Sequence, residues 1–279
     1  MLRRTALSCL VSLAFALPGP VAAEPVSPGR PISEFRPSQH GFPFVNSFSG
    51  SPLPGVFGNL GVDSALGAPN TFGLCGGMSF AAADFFLART PVPTQTAPPR
   101  RGTPLFRFLQ QRQLDSLGPR LTLAARFSLW MSAEDFGPGG VAAHTLPELL
   151  DIAEALSRAE PAILGLVLTR RAPGGGALWE NHQVLARAAH RPTANQLTLS
   201  IYDPNYPGID DAVIHSRLVI AGSIPSGGPI AVRFPVLGAI SQRVVPGRRA
   251  TPVRGIFRVP YAPATPPAIP PHRAHPATP

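Results

Sequence analysis

The chain has 279 residues and a formal charge of +9 at neutral pH, and its 24 basic side chains are all arginines. The absence of lysine excludes phosphate-loop enzymes and enzymes that form a Schiff base through lysine, among them pyridoxal-phosphate enzymes. The arginines are scattered and not interleaved with aromatic residues, which argues against a nucleic-acid surface. They fit either a weak attraction to anionic envelope polymers or the codon preference of a GC-rich genome, and the 36 prolines favour the second explanation.

Residues 1–23 have the pattern of a secretory signal peptide. They begin with two arginines, continue in a short apolar run and end in small residues suited to cleavage. We therefore predict an exported protein, periplasmic or extracellular. Because Cys9 would leave with this segment, Cys75 would be the single remaining cysteine, and no internal disulfide could form.

The composition predicts one domain over residues 46–260. Residues 24–45 are rich in proline and are expected to form a linker, and residues 261–279 are expected to form a disordered tail. After the signal segment, no stretch reaches the roughly 18 apolar residues that a membrane span requires, so we expect no integral membrane span.

The first half of this domain is predicted to be helical. Four segments combine apolar spacing with a start or stop signal, and the last has a capping-box start at Thr145 to Glu148. The predicted helices are 76–88, 104–117 and 145–158, and residues 121–131 are predicted to form a short apolar helix or an extended piece.

After Pro161 the pattern changes to β-rich runs separated by Gly, Pro and Asn, with residues 174–176 as a hairpin turn. Helices followed by strands, without alternating βαβ units, predict an α+β fold. The predicted strands are 162–169, 177–188, 197–203, 212–221, 230–234 and 253–259.

Cys75 stands where a loop rich in Pro, Asn and Gly enters a helix, within the sequence Gly73-Leu74-Cys75-Gly76-Gly77. A helix N-terminus and a nearby imidazolium both stabilise a thiolate, which is the nucleophilic form of cysteine. The flanking glycines would let backbone and substrate approach closely, and exposed N–H groups there could hold an oxyanion.

A thiol nucleophile needs a base, and the base needs an acceptor to orient it; His182 and Asp203 are the candidates. If strands 177–188 and 197–203 form a hairpin closed symmetrically by residues 190–195, then Arg187 faces Thr198 and His182 faces Asp203. A bulge would shift this register by one residue, and Asn205 is then the alternative orienting residue.

No metal or cofactor is expected. Cys75, His182 and His144 lack the short ligand spacings of zinc sites. The carboxylates that follow Asp203 lack the regular oxygen spacing of calcium loops.

The motifs Cys75-Gly76, His182-Gln183-Val184 and Asp203-Pro204 resemble those of the papain-like cysteine peptidase superfamily, and most closely its bacterial branch related to bacteriocin-processing (C39-type) peptidases. The resemblance implies a helical half with the cysteine at a helix start and an antiparallel β half with the histidine and aspartate. It also implies a thiol–imidazolium pair that cleaves a peptide or amide bond, with Asp203 holding the imidazole. Pro69 occupies the family's oxyanion glutamine position, which makes Asn70 the substitute candidate.

Two alternatives remain open at this point. Gly73 to Gly77 also fits the Gly-x-Cys-x-Gly nucleophile elbow of an α/β hydrolase, although residues 67–71 do not form the apolar strand that such an elbow requires. The other alternative is a papain-like scaffold that serves as a non-catalytic binding module of the envelope, with an unreactive thiol.

Overall fold

A computed structural model describes residues 30–49, 71–171, 177–222 and 235–269 of the chain. In these ranges the protein is α+β, as predicted, with helices in the first half and antiparallel strands in the second. No helix of the described ranges is long and apolar enough to cross a membrane.

Five α-helices lie in the described part of the first half, and the three at its centre begin within about one residue of the predicted positions. Thr103 caps the third helix, since its hydroxyl accepts a hydrogen bond from the Phe106 N–H at 3.3 Å. The helices are α1 (Pro37–His40), α2 (Cys75–Leu87), α3 (Pro104–Asp115), α4 (Thr122–Ser132) and α5 (Val141–Ser157).

Helix α5 begins at Val141, so the predicted capping-box start at Thr145 is wrong. The Thr145 hydroxyl accepts from the Ile256 N–H at 3.1 Å, and the Glu148 carboxylate accepts from the Arg258 N–H at 2.8 Å. Both side chains that would form the capping box therefore bind the backbone of a neighbouring strand from inside the helix.

The strands form a two-stranded ladder and a seven-stranded antiparallel sheet of order β8-β7-β6-β5-β4-β3-β9. The prediction missed the strand that begins at Pro235 and assigned 177–180, a 3₁₀ turn in the structure, to a strand. Predicted strand 230–234 and predicted turn 174–176 lie outside the described residues. The strands are β1 (Phe48–Ser49), β2 (Thr71–Phe72), β3 (Ala162–Val167), β4 (His182–Thr193), β5 (Gln196–Tyr202), β6 (Val213–Gly222), β7 (Pro235–Val244), β8 (Thr251–Val253) and β9 (Gly255–Val259).

The first and last strands of this order are consecutive along the chain, with only Arg254 between them. Strand β8 pairs with β7, and β9 pairs with β3. The Arg254 N–H already donates to the Val167 carbonyl at 2.9 Å. The sheet must therefore curl round until its two ends meet at this residue.

The packed domain extends beyond the predicted limits of 46–260. Residues 30–45, predicted to form a linker, contribute four fully buried apolar side chains to the core: Ile32, Phe35, Phe42 and Phe44. Their aromatic content gives this stretch enough apolar surface to bury, in spite of its prolines. It therefore belongs to the domain.

The first part of the predicted disordered tail is also held against the domain. The Tyr261 hydroxyl and the Ala264 N–H both donate to Asp84 Oδ1, at 2.7 and 2.9 Å. Arg112 pairs with the same carboxylate and donates to the Ala262 carbonyl at 2.8 Å. Asp84 is buried on α2, so residues 261–264 supply hydrogen-bond partners for its carboxylate and for Arg112.

Candidate active site

Cys75 is the first residue of α2, and side chains from two other segments bind the backbone at this helix start. Asn46 Oδ1 accepts from the Leu74 N–H at 2.6 Å, and Gln113 Oε1 accepts from the Gly77 N–H at 3.0 Å. The first N–H groups of a helix have no intrahelical acceptor, so such partners fix its position. Cys75 is thus held at a defined point, with its side chain partly exposed.

The two glycines after Cys75 allow α2 to pack closely against its neighbours. A Cβ on Gly76 would lie 2.0 Å from Gln183 Oε1 and 2.1 Å from Ser116 Oγ. A Cβ on Gly77 would lie 2.1 Å from the Leu109 carbonyl oxygen of α3. The predicted close approach at these glycines is therefore present, but the groups that approach belong to the protein itself.

His182 is the first residue of β4 and is buried, with 4% of its surface exposed. Its Nε2 lies 2.7 Å from Asp203 Oδ1, and the Cys75 side chain is close enough to the imidazole to raise its pKa. Because Nε2 is used for Asp203, Nδ1 is the ring nitrogen left for the thiol. The histidine therefore connects the other two predicted catalytic residues.

The electrostatic setting favours a charged imidazole. Burial by itself lowers the pKa of His182, but the Asp203 carboxylate and the Cys75 side chain outweigh it and raise the pKa to about 9. At neutral pH the ring is therefore protonated and can stabilise a thiolate at Cys75.

Asp203 reaches His182 in a register that differs from the predicted one. Thr198 faces His190 where Arg187 was predicted, because the hairpin turns through residues 194–195 and its pairing shifts by one residue between Thr193 and His190. A bulge between Ala186 and Ala188 then shifts the pairing again. Asp203 follows the last residue of β5, so its side chain is placed by the strand end.

Arg243 of β7 is the fourth member of this cluster, and the sequence analysis did not identify it. Its Nη1 donates to Asp203 Oδ2 at 2.9 Å, and its guanidinium lies 5.7 Å from the centre of the Tyr206 ring. Burial raises the pKa of Asp203, but His182, Arg243 and the Asn205 N–H together lower it below its ordinary value. Asp203 therefore stays ionised at neutral pH.

Asn205, the alternative orienting residue, does not bind the imidazole. Its backbone N–H donates to Asp203 Oδ1 at 3.0 Å, and its side-chain Oδ1 accepts from Asn46 Nδ2 at 2.9 Å. It therefore supports Asp203 from the backbone and links the aspartate loop to Asn46. The oxyanion candidate Asn70 lies outside the described residues.

A cavity of about 290 Å³ opens beside Cys75 and His182. Its polar lining includes the carboxamide of Gln113, whose Oε1 is held by Gly77, so that Nε2 remains to donate a hydrogen bond. The cavity is lined by Asn46, Thr71, Phe72, Gly73, Cys75, Gln113, Leu117, Phe127, Leu168, Leu178, Trp179, Glu180, Asn181, His182, Gln183, Asn205 and Arg243.

In the part of the chain that the structure describes, no three His, Cys, Asp or Glu side chains group as metal ligands. Neither Arg243 nor Gln113 carries a local sequence signal, because each reaches the site from a segment distant along the chain.

Comparisons of the chain with models of known protein families, with curated proteins and with solved structures find no match. The interpretation of the site therefore depends on its own geometry and chemistry.

Proposed function

We propose that this protein is an exported, papain-like thiol hydrolase, similar to the C39-type branch, that cleaves a peptide or amide bond with Cys75, His182 and Asp203. The observation that carries the proposal is the position of His182. One ring nitrogen binds a buried carboxylate, and the imidazole lies at the same cavity as the only cysteine of the described residues, whose side chain raises its pKa. Nucleophile, base and orienting acceptor in this order are the requirement for nucleophilic acyl transfer.

In the proposed reaction the Cys75 thiolate attacks the substrate carbonyl carbon, and the carbonyl π electrons move onto oxygen. The His182 imidazolium then donates its proton to the departing nitrogen, the C–N bond breaks, and an acyl thioester remains on Cys75. Neutral His182 next removes a proton from water, which attacks the thioester. The carboxylic acid leaves, and the thiolate–imidazolium pair is restored.

The tetrahedral intermediate needs hydrogen-bond donors near the carbonyl oxygen. The Cys75 N–H, at the first position of α2, and the Gln113 Nε2 group are two candidates that line the same cavity. Gln113 comes from α3, whereas Asn70 lies in the loop before Cys75. Asn70 and Gln113 are both candidate side-chain donors to the oxyanion. The hydrogen bond from the Gly77 N–H to Gln113 Oε1 holds the Gln113 carboxamide in place at the cavity.

The nucleophile-elbow alternative is less well supported by the described residues. An elbow places its nucleophile in a sharp turn directly after a strand of the main sheet. The strand before Cys75 is β2, which has two residues, ends at Phe72 and, within the described ranges, pairs with β1 alone. The described seven-stranded sheet is antiparallel throughout, whereas α/β folds are built on parallel strands.

The test is the pH dependence of Cys75 alkylation by iodoacetamide, followed by mass spectrometry. We expect wild type to react well below pH 7, and His182→Ala to react only near the pH of about 8.5 at which a free thiol ionises. The matched control is His215→Ala, since His215 is exposed, bonds Thr198 on the neighbouring strand and does not line the cavity beside Cys75. An unchanged profile in His182→Ala, or reaction only after denaturation, would instead support the non-catalytic binding module.

The proposed export has its own test, since residues 1–23 lie outside the described residues. Expression in a bacterial host with secretion should yield a mature protein in the periplasm or medium that begins at Glu24. Retention of the intact N-terminus in the cytoplasm would contradict export and leave the proposed chemistry unaffected.

A further inference from the structure

One side of the cavity beside Cys75 is apolar. We call this the apolar wall; it consists of Leu117, Phe127, Leu168, Leu178 and Trp179. These residues come from the segment after α3, from α4, from the end of β3 and from the 3₁₀ turn before β4. Four separate parts of the chain therefore present apolar surface to a single cavity.

Hydrogen bonds from Asn181 fix the apolar wall relative to the catalytic histidine. Asn181 Oδ1 accepts from the Leu168 N–H at 3.1 Å, and Nδ2 donates to the Leu178 carbonyl at 3.3 Å. Asn181 directly precedes His182 along the chain. A group that contacts the wall is therefore held at a defined distance from the imidazole, as a specificity pocket requires.

The charged side chains at this cavity are already paired. Arg243 binds Asp203 at 2.9 Å, and Glu180 binds Arg171 at 3.0 Å. Arg243 is therefore committed to Asp203, and the charge of Glu180, whose side chain is 47% exposed, is offset in part by Arg171. A polar side chain placed against the apolar wall would lose its hydrogen bonds to water without a replacement, whereas an apolar one would gain by burial.

We infer that this cavity selects acyl groups that carry a compact apolar side chain next to the scissile carbonyl. The inference rests on the proposed thiol hydrolase function and adds the substrate class to it. The volume of about 290 Å³ has room for an aliphatic or aromatic side chain. Leu117 and Leu178 are the proposed specificity residues, because both are partly exposed at the cavity.

The experiment compares p-nitrophenyl esters of N-acetyl-leucine and N-acetyl-asparagine, whose side chains have similar shapes and opposite polarity. The Cys75 thiolate forms a thioester as p-nitrophenolate leaves, so the release of p-nitrophenolate and the mass of the acyl-enzyme both report acylation. We expect the leucyl ester to acylate wild type at least about tenfold faster. In Leu178→Asn and Leu117→Asn the ratio should fall to within about threefold of one.

Leu150→Asn is the matched control, because Leu150 is 50% exposed on α5 and does not line the cavity. It should keep the wild-type ratio. Equal rates for the two esters in wild type, a preference for the asparaginyl ester, or an unchanged ratio in both wall variants would overturn the inference while leaving the hydrolase proposal intact. If neither ester acylates Cys75 although iodoacetamide reacts below pH 7, the hydrolase proposal itself fails and the substrate class with it.

Discussion

Arg243 and His182 bind opposite oxygens of the same carboxylate: the Arg243 guanidinium lies 2.9 Å from Asp203 Oδ2, and the His182 ring lies 2.7 Å from Oδ1. The aspartate side chain is fully buried, Oδ1 also accepts from the Asn205 N–H, and Arg243 is the side chain that binds Oδ2. Arg243 keeps Asp203 ionised, and the ionised aspartate keeps His182 charged. The charge of the imidazole therefore depends on residues from three strands: His182 on β4, Asp203 at the end of β5 and Arg243 on β7.

Replacing Arg243 with leucine should destabilise the protein, because it leaves one oxygen of a buried carboxylate without its partner. We expect the free energy of unfolding in urea to fall by about 3 kcal/mol. The midpoint of acid unfolding should move to higher pH, since Asp203 would lose a group that lowers its pKa. Arg248→Leu is the control: Arg248 is exposed and lies 5.9 Å from the same Tyr206 ring. Equal losses in both variants would contradict a special role for Arg243.

Asp203 and Asn205 should differ in their effect on the reaction of Cys75. Asp203→Asn removes the charge beside the imidazole, and we expect acylation by a p-nitrophenyl ester at pH 7 to fall by about 10²–10⁴-fold. Asn205→Ala keeps the backbone N–H that binds Asp203, so we expect a loss of less than about tenfold. Stopped-flow measurement of p-nitrophenolate release gives both rates. A severe loss in Asn205→Ala alone would assign the orienting role to the amide.

The charged His182 should make stability depend on pH between about 6.5 and 9. The folded protein keeps the His182 proton up to about pH 9, whereas the unfolded chain releases it near 6.5. The contribution is therefore complete below pH 6.5 and is lost as the pH rises through 9; it amounts to about 3 kcal/mol at most. Urea unfolding at pH 6, 8 and 9.5 should show this fall in wild type and a flatter profile in His182→Gln. Parallel profiles would show that His182 is not charged in the folded state.

Gln113 should affect acylation without affecting alkylation. An oxyanion develops when an ester carbonyl is attacked, but none develops when iodoacetamide alkylates a thiolate. We expect Gln113→Ala to lower the acylation rate by about 10²–10³-fold and to leave the alkylation rate at pH 6 within about twofold of wild type. Gln111→Ala, an exposed position on the same helix, should change neither rate. Equal losses of both rates in Gln113→Ala would show that the residue only positions the start of α2.

The α+β class was predictable because the apolar spacing changes near Pro161, and the helices were predictable where spacing and stop signals agree. The strand register was not predictable from the sequence. The hairpin turns at residues 194–195, and its pairing shifts between Thr193 and His190 and again between Ala188 and Ala186; an assumed symmetric loop contains no information about these irregularities. The contact of His182 with Asp203 nevertheless forms. Asp203 lies just beyond the end of β5, so the pairing of β5 with β4 does not determine where its side chain points.

Cys75, His182 and Asp203 could be proposed from the sequence because each chemical type stands in a distinctive local setting. Arg243 and Gln113 could not, since an arginine in a β-rich run and a glutamine on a helix have no such setting. Their partners, Asp203 and Gly77, lie about forty residues away along the chain, and only the folded sheet and the packing of α2 on α3 bring them together.

The meeting of β8 and β9 at Arg254 has a consequence for when and where this chain can fold. Strand β3 pairs with β4 on one edge and, on the other, with β9, which lies about ninety residues later along the chain. That second edge of β3 therefore has no partner until the C-terminal segment is available. Such long-range pairing is slow, and an unpaired strand invites association with other chains. Once β9 is in place, that strand edge is covered. A chain of this topology can therefore complete its sheet only after the C-terminal segment has been synthesised.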